Sequence, residues 1–234
     1  MKLSKTLIAS SVAAVMAAGV MASAQAEVEV GASVGVASTY LWRGYDLGSG
    51  TPAVSGDLNV SAAGAYAGIW GSSGDTGAGT EYDLYAGYGG AFGDFSYDLS
   101  VWNYNYPSGD GYLDDDETEE LEETNFGDLT DVVLSLGYGP VSVTYYDNVA
   151  GASGYSYATL GLEFGAFGFL VGQHFEDKDE LTHVNLSYAY NDNLSFTVSA
   201  PVGSNDGDLD ADGELISVDE DPLFVVSYTL PLGE

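Results

Sequence analysis

The sequence predicts an all-β chain, an antiparallel up-and-down β-barrel of about twelve strands crossing a membrane. Three observations carry this. Apolar and polar residues alternate with a period of two through most of the chain. The alternating segments are each about eight to twelve residues, the span of a tilted membrane strand. The connections between them are short and long in turn, as in outer-membrane barrels, which have short periplasmic turns and long outer loops.

The first 26 residues stand apart. Lys2 and Lys5 precede the Ala-rich apolar run Leu7 to Val20, and Ala24-Gln25-Ala26 closes it. This is the pattern of a secretory signal peptide with an A-x-A cleavage site, so residues 1–26 are expected to be removed after Sec-type export. Residues 27–234 then form one barrel domain.

The alternating segments run near 28–44, 53–62, 65–73, 80–89, 94–104, 128–138, 141–148, 154–165, 167–175, 182–190, 194–202 and 222–231. Short turns fall at Ala63-Gly64, Gly90 to Gly93, Gly139-Pro140, Gly165-Ala166 and Asn191 to Asn193. Longer loops fall at 45–52, 74–79, 105–127, 149–153, 176–181 and 203–221. With an even number of strands, both termini lie on the short-turn side. The apolar face carries Tyr40, Trp42, Tyr66, Trp70, Tyr82, Tyr88, Tyr138, Tyr188 and Tyr228 near strand ends, where aromatic girdles meet a bilayer. A soluble β-sandwich, with its aromatics as a candidate glycan-binding face, shows the same alternation and would make Trp70 and Tyr97 core residues.

Charge excludes one class of partner. Past residue 26 only Arg43 and Lys178 are basic, against 36 Asp and Glu. Nucleic acid, bound by neutralising phosphates, is not expected. The chain has no cysteine, hence no disulfide framework. Two runs, Asp110 to Glu123 and Asp206 to Asp221, hold 17 of the acids and fall on the outer side as solvated loops.

If the first segment is one strand to residue 44, Tyr40 and Trp42 face lipid and Arg43 faces inward. The same parity turns Asp57, Asp83, Asp98, Asp131 and Glu163 inward with it, as candidate lining of a pore. Charge against lipid costs kilocalories per residue, whereas a watery interior tolerates it. Carboxylates along a narrow channel favour cations, and Arg43 is placed to pair with one of them. Alternatively, these charges only pin the interior of a barrel filled by its own side chains.

Asp208, Asp210 and Asp212 alternate before Gly213, and Asp219 ends a twelve-residue span. The run resembles an EF-hand calcium loop, with Asp for the usual last Glu. It lacks the preceding amphipathic helix, so the alternatives are a calcium site and a plain acidic loop. No other cofactor is expected. His174 and His183 stand nine apart, without zinc-ligand spacing. His183, Asn185 and Ser187 share one strand face and are loosely similar to the Ser, His and Asn of outer-membrane phospholipases. There, however, His and Ser are two apart and face lipid, so no enzyme is expected.

Five stretches carry a family resemblance: Tyr40-Leu41-Trp42-Arg43-Gly44, Pro52-Ala53-Val54-Ser55-Gly56, Tyr66-Ala67-Gly68-Ile69-Trp70-Gly71-Ser72, Glu81-Tyr82-Asp83-Leu84-Tyr85-Ala86-Gly87-Tyr88 and Phe95-Ser96-Tyr97-Asp98. With Pro222-Leu223-Phe224-Val225-Val226-Ser227-Tyr228, they resemble the TorF family of outer-membrane porins, conserved hypothetical proteins of Gram-negative bacteria. The likeness is strong over residues 39–106 and weaker elsewhere. It implies an outer-membrane barrel with a channel role and supplies no catalytic residues. One departure is the C-terminus: Tyr228 and Leu230 keep the alternation, but Glu234 stands where such barrels usually end on an aromatic.

The expected function is passive diffusion of small solutes or ions across the outer membrane, with cation preference. The alternative is a non-channel outer-membrane or secreted β-protein whose acidic loops bind calcium or a surface partner. Oligomeric state is not legible in the sequence.

Overall fold

A computed structural model describes residues 27–107, 113–114, 121–122, 126–150, 155–175, 181–203 and 221–232. Twelve strands form a closed antiparallel barrel. They are β1 (Glu29–Ala37), β2 (Ala53–Ala62), β3 (Ala65–Asp75), β4 (Gly79–Phe92), β5 (Phe95–Asn105), β6 (Leu129–Tyr138), β7 (Val141–Asn148), β8 (Ser156–Phe164), β9 (Phe167–Phe175), β10 (Thr182–Ala189), β11 (Leu194–Gly203) and β12 (Leu223–Pro231). Each pairs with its sequence neighbour, and β12 closes onto β1 in the register Val36↔Tyr228. No helix of the described residues is long and apolar enough to cross a membrane.

Each of the twelve alternating segments matches a barrel strand. Glu29 pairs with Ser61 and Ser33 with Pro231, so both chain ends sit on the short-turn side. Closure leaves no edge strand, which satisfies the backbone of every wall strand.

The two faces are inverted relative to a soluble protein. Leu58, Leu99, Leu134, Leu160, Leu186 and Phe224 point outward and are exposed, whereas Asp83, Asp131, His183, Thr197 and Ser199 point inward and are buried. Inside, hydroxyls pair across strands, as in Ser135 with Thr144 at 3.0 Å and Ser187 with Thr197 at 2.9 Å. A sandwich would place its apolar residues between sheets, so the β-sandwich alternative does not describe this chain.

Aromatic side chains crowd the outer face at the short-turn end: Tyr88, Phe92, Tyr138, Phe164, Phe167, Tyr188, Tyr190 and Tyr228 are exposed there. Four residues expected on that face are elsewhere. Tyr66 points inward, its hydroxyl 2.8 Å from Asp98 Oδ1. Trp70 also points inward, its ring 6.1 Å from that of Tyr40. Tyr40 is buried, and Trp42 lies inside the barrel against Arg43 and Tyr155.

The reason is local. β1 stops at Ala37, not residue 44. The Ser38 amide donates to Val226 O at 2.9 Å, and the Ser38 hydroxyl accepts from the Val226 amide at 3.0 Å, tying that corner to β12. Beyond it the chain turns back and forms a two-residue ladder, Leu41↔Asp46 and Trp42↔Tyr45. That ladder keeps the period of two, so in sequence it reads as an extension of β1.

The segment expected as a loop at 74–79 is a tight connection. β3 extends to Asp75 and β4 begins at Gly79. The Asp75 carboxylate accepts from the amides of Gly77 at 2.8 Å and Ala78 at 2.7 Å, a side-chain-stabilised turn. The acidic connection between β5 and β6 carries a further two-residue ladder, Leu113–Asp114 with Leu121–Glu122.

Candidate functional site

The site lies inside the loop-side half of the barrel and is built around the 41–46 hairpin. Its tip is Arg43-Gly44. Both have positive φ, 47° and 96°, the pair that a two-residue type I′ turn requires. Gly44 suits this geometry twice over: it accepts positive φ, and a Cβ there would lie 2.6 Å from His183 Cγ. Arg43 has no such licence, and a side chain in this region is held by its surroundings.

Those surroundings are specific. The Arg43 Nη2 donates to Asp131 Oδ2 at 2.8 Å and to the Tyr104 hydroxyl at 3.2 Å; Nη1 donates to the Tyr155 hydroxyl at 3.0 Å. Its Cζ lies 4.3 Å from the ring centre of Tyr146, 4.6 Å from Trp42, 5.2 Å from Tyr157 and 5.4 Å from Tyr155. These are cation–π distances in a desolvated pocket, where the attraction reaches about 2 kcal/mol. Burial by itself lowers the arginine pKa; Tyr104, Tyr155 and Asp131 outweigh it, so the guanidinium stays charged.

A ring of hydrogen bonds locks the tip. His174 Nε2 lies 2.6 Å from the Arg43 carbonyl oxygen, which only accepts, so Nε2 carries the proton. His174 Nδ1 then accepts from the Tyr155 hydroxyl at 3.0 Å, and the Tyr155 oxygen accepts from Arg43 Nη1. The circuit runs from guanidinium to tyrosine to histidine and back to the carbonyl of the same residue. Beside it, His183 Nε2 is 2.7 Å from the Tyr157 hydroxyl and Nδ1 is 3.1 Å from Asn185 Oδ1.

The base of the hairpin is held by a second carboxylate. Glu81 Oε2 accepts from the Tyr40 hydroxyl at 2.7 Å, and Oε1 from Tyr106 at 2.8 Å. Burial, and then the Glu81 charge, push the Tyr40 hydroxyl well above its ordinary range and keep it a donor. The Thr39 hydroxyl donates to Asp46 Oδ1 across the hairpin.

Of the six residues singled out as pore lining, two meet directly: Arg43 and Asp131 form a buried ion pair. Asp83 is fully buried, and neither of its carboxylate oxygens meets a donor. Asp57 and Asp98 belong to a separate cluster nearer the short turns. There Asp57 accepts from the Tyr85 hydroxyl at 2.7 Å and from Asn59 Nδ2 at 2.6 Å, and Asp98 accepts from Tyr66. Glu163 sits on β8 close to its short turn and is exposed. Asp208, Asp210, Asp212 and Asp219 lie outside the described residues.

Glu81, Tyr104, Tyr146, Tyr155 and Tyr157 were not singled out in the sequence, and His174 and His183 were weighed there only as zinc ligands or, for His183, as a catalytic residue; all seven complete the site. A signal was available for most of them. Glu81 shares the parity of Asp83, and Tyr104, Tyr146, Tyr157, His174 and His183 are inward residues at the loop ends of β5, β7, β8, β9 and β10.

Among curated proteins no match to the chain is found. Residues 21–218 match a family of bacterial proteins of unknown function. That span takes in the hairpin, Glu81, Asp131, both histidines and eleven of the twelve barrel strands, so the chain belongs to the Gcw_chp family, bacterial proteins whose function is unknown.

Proposed function

We propose that the protein is an outer-membrane barrel of the porin kind, a passive and cation-preferring path for small solutes or ions. One observation carries the membrane placement: the barrel wall is apolar outside and polar inside. Outward Val, Leu, Ile, Phe and Tyr from all twelve strands form a continuous belt. Soluble monomers rarely expose apolar patches beyond a few hundred Å². A bilayer removes that surface from water, and the aromatic crowding at the short-turn end suits a membrane interface. The resemblance to the TorF porins over residues 39–106 agrees with this reading, as does the expected Sec-type export with removal of residues 1–26.

Cation preference follows from the inward carboxylates. Asp57, Glu81, Asp83, Asp98 and Asp131 face inward, and Arg43 is the only Lys or Arg among the described residues. Such a field draws cations and repels anions. The lipid of the outer membrane and small cations are thus the partners proposed. Catalysis is not part of the proposal, since His183 is engaged by Tyr157 and Asn185, and Ser187 by Thr197.

A second reading has its own support. The hairpin and its aromatic neighbours fill the loop-side half of the barrel, which favours a closed, non-channel barrel whose acidic loops meet calcium or a surface partner. Planar bilayers separate the two. A reversal potential favouring cations under a salt gradient supports the pore, and one favouring anions defeats the cation preference. Absence of conductance selects the closed barrel. Recovery of the mature chain as soluble periplasmic protein, without detergent, defeats both. Calorimetry with calcium tests the Asp208–Asp219 loop, and no heat at millimolar calcium leaves it a solvated loop.

A further inference from the structure

The Arg43 pocket has the construction of a receptor. Its polar contacts come from the wall: Asp131 on β6, Tyr104 on β5, and Tyr155 immediately before β8. Its rings Tyr146 and Tyr157 come from β7 and β8, with centroids 5.5 Å apart. None of these belongs to the hairpin. Asp131 is also held from behind, accepting from Asn148 Nδ2 at 3.1 Å and from the Tyr104 hydroxyl at 3.3 Å. The carboxylate therefore keeps its direction when the guanidinium is withdrawn, and a preorganised site binds more tightly than one that must assemble.

The hairpin, by contrast, is a tenant. Its ladder is its own and pairs with no barrel strand. Its withdrawal would leave every strand-to-strand hydrogen bond of the wall in place. Its tip residue, Arg43, holds a positive φ set by its own two-residue turn.

We propose that this pocket is a recognition site for a small organic cation carrying a guanidinium or alkylammonium group, occupied in the closed form by the chain's own Arg43. The chemistry is specific to that class. One carboxylate and two hydroxyls match the donors of a planar guanidinium, and the ring faces attract its charge. Neutral solutes gain no cation–π attraction from the rings, and anions are repelled by Asp131. An incoming cation competes with a tethered guanidinium, so its apparent affinity is reduced by the effective concentration of Arg43. The site is read from buried geometry and does not require that the barrel conduct. Failure to bind would leave the pore reading standing, and absence of conductance would leave the site standing.

The test uses the full mature chain folded in detergent, as wild type and as R43A, which empties the pocket. The probe is methylguanidinium chloride, with NaCl as the ionic control and urea as the neutral isostere. For R43A at about ten times Kd, the melting temperature is expected to rise by roughly 3–6 °C over the NaCl control. Urea is expected to give no rise. Should R43A not fold alone, its folding yield with methylguanidinium replaces the melting shift.

In the wild type, methylguanidinium is expected to expose the hairpin to chymotrypsin at Tyr40 to Tyr45, saturably and with an apparent Kd at least tenfold weaker than in R43A. No stabilisation of folded R43A overturns the site, and so does an equal effect from urea. A wild-type hairpin that stays protected at saturating methylguanidinium shows a structural anchor only and also overturns the proposal. If R43A folds in neither condition, this wild-type result decides.

Discussion

The Arg43 guanidinium and the Asp131 carboxylate meet at 2.8 Å across 88 residues of chain, both buried. A buried pair is costly to form and more costly to break, because removing one partner leaves the other charge unpaired in a desolvated site. D131N leaves Arg43 without its directly paired carboxylate. The expected loss is about 3–5 kcal/mol, read as a lower urea midpoint for the detergent-folded barrel. In a double-mutant cycle with R43A, the two losses should fall well short of adding. Full additivity would mean that the pair contributes no coupling.

Gly44 is expected to tolerate no side chain. G44A adds a Cβ against the His183 ring at a residue with φ of 96°. Strain of about 1–2 kcal/mol from backbone alone is added to the overlap. The hairpin should undock while the barrel remains, since the two share no ladder. Circular dichroism should keep its β signal as chymotrypsin gains access near Trp42. Unchanged protection of the hairpin would show that the tip has room to move.

Asp83 offers a change in the opposite direction. Its carboxylate is buried without a donor and lies beside the Glu81 charge. An unpaired buried carboxyl group is costly, and an amide of the same shape supplies a donor in its place. D83N should therefore match or exceed the wild type in melting temperature. A fall of about 5 °C or more, roughly 1–2 kcal/mol, would show that the Asp83 carboxyl group has a partner in the protein's working state.

The outer face answers to depth. Leu160 is central on β8 and exposed. L160R should cost about 2–4 kcal/mol of folding into bilayers, as expected for a cation near the midplane, and an arginine close to a rim should cost less. Equal tolerance at both depths would contradict a membrane around the belt.

Conductance tests the hairpin as an obstruction. Deleting residues 40–48 should raise single-channel conductance in planar bilayers, because the loop-side half is then lined by the wall alone. Equal conductance with and without the segment would place the constriction among Tyr66, Tyr85 and Trp102, of which Tyr85 and Trp102 stack at 4.3 Å. R43A should raise cation preference if Arg43 guards the path. Unchanged selectivity with a lower folding yield would assign it a structural role.

Much of the fold was legible because strand information is local. Alternation and turn residues are read within a dozen positions, so the twelve strands, their faces and the side on which the termini lie followed from Leu99, Leu134 and Leu160 against Asp98, Ser135 and Thr159. Two local features misled. Residues 74–79 were polar enough to pass for a loop, yet Asp75 caps a turn of its own. Tyr66 and Trp70 are aromatic, and aromatic residues were assigned outward, although their parity with Gly68 and Ser72 places them inside.

The sequence by itself determined the barrel, its inside-out polarity and the near absence of cations to balance its carboxylates. Only the tertiary structure decided that residues 38–52 leave the wall and that the 41–46 hairpin among them enters the barrel. A two-residue hairpin has the same period as the strand it follows, so no pattern within the segment distinguishes continuing from turning inward. What decides it is the set of partners waiting there: Asp131, Tyr104, Tyr155 and His174, brought together from four parts of the chain when the barrel closes.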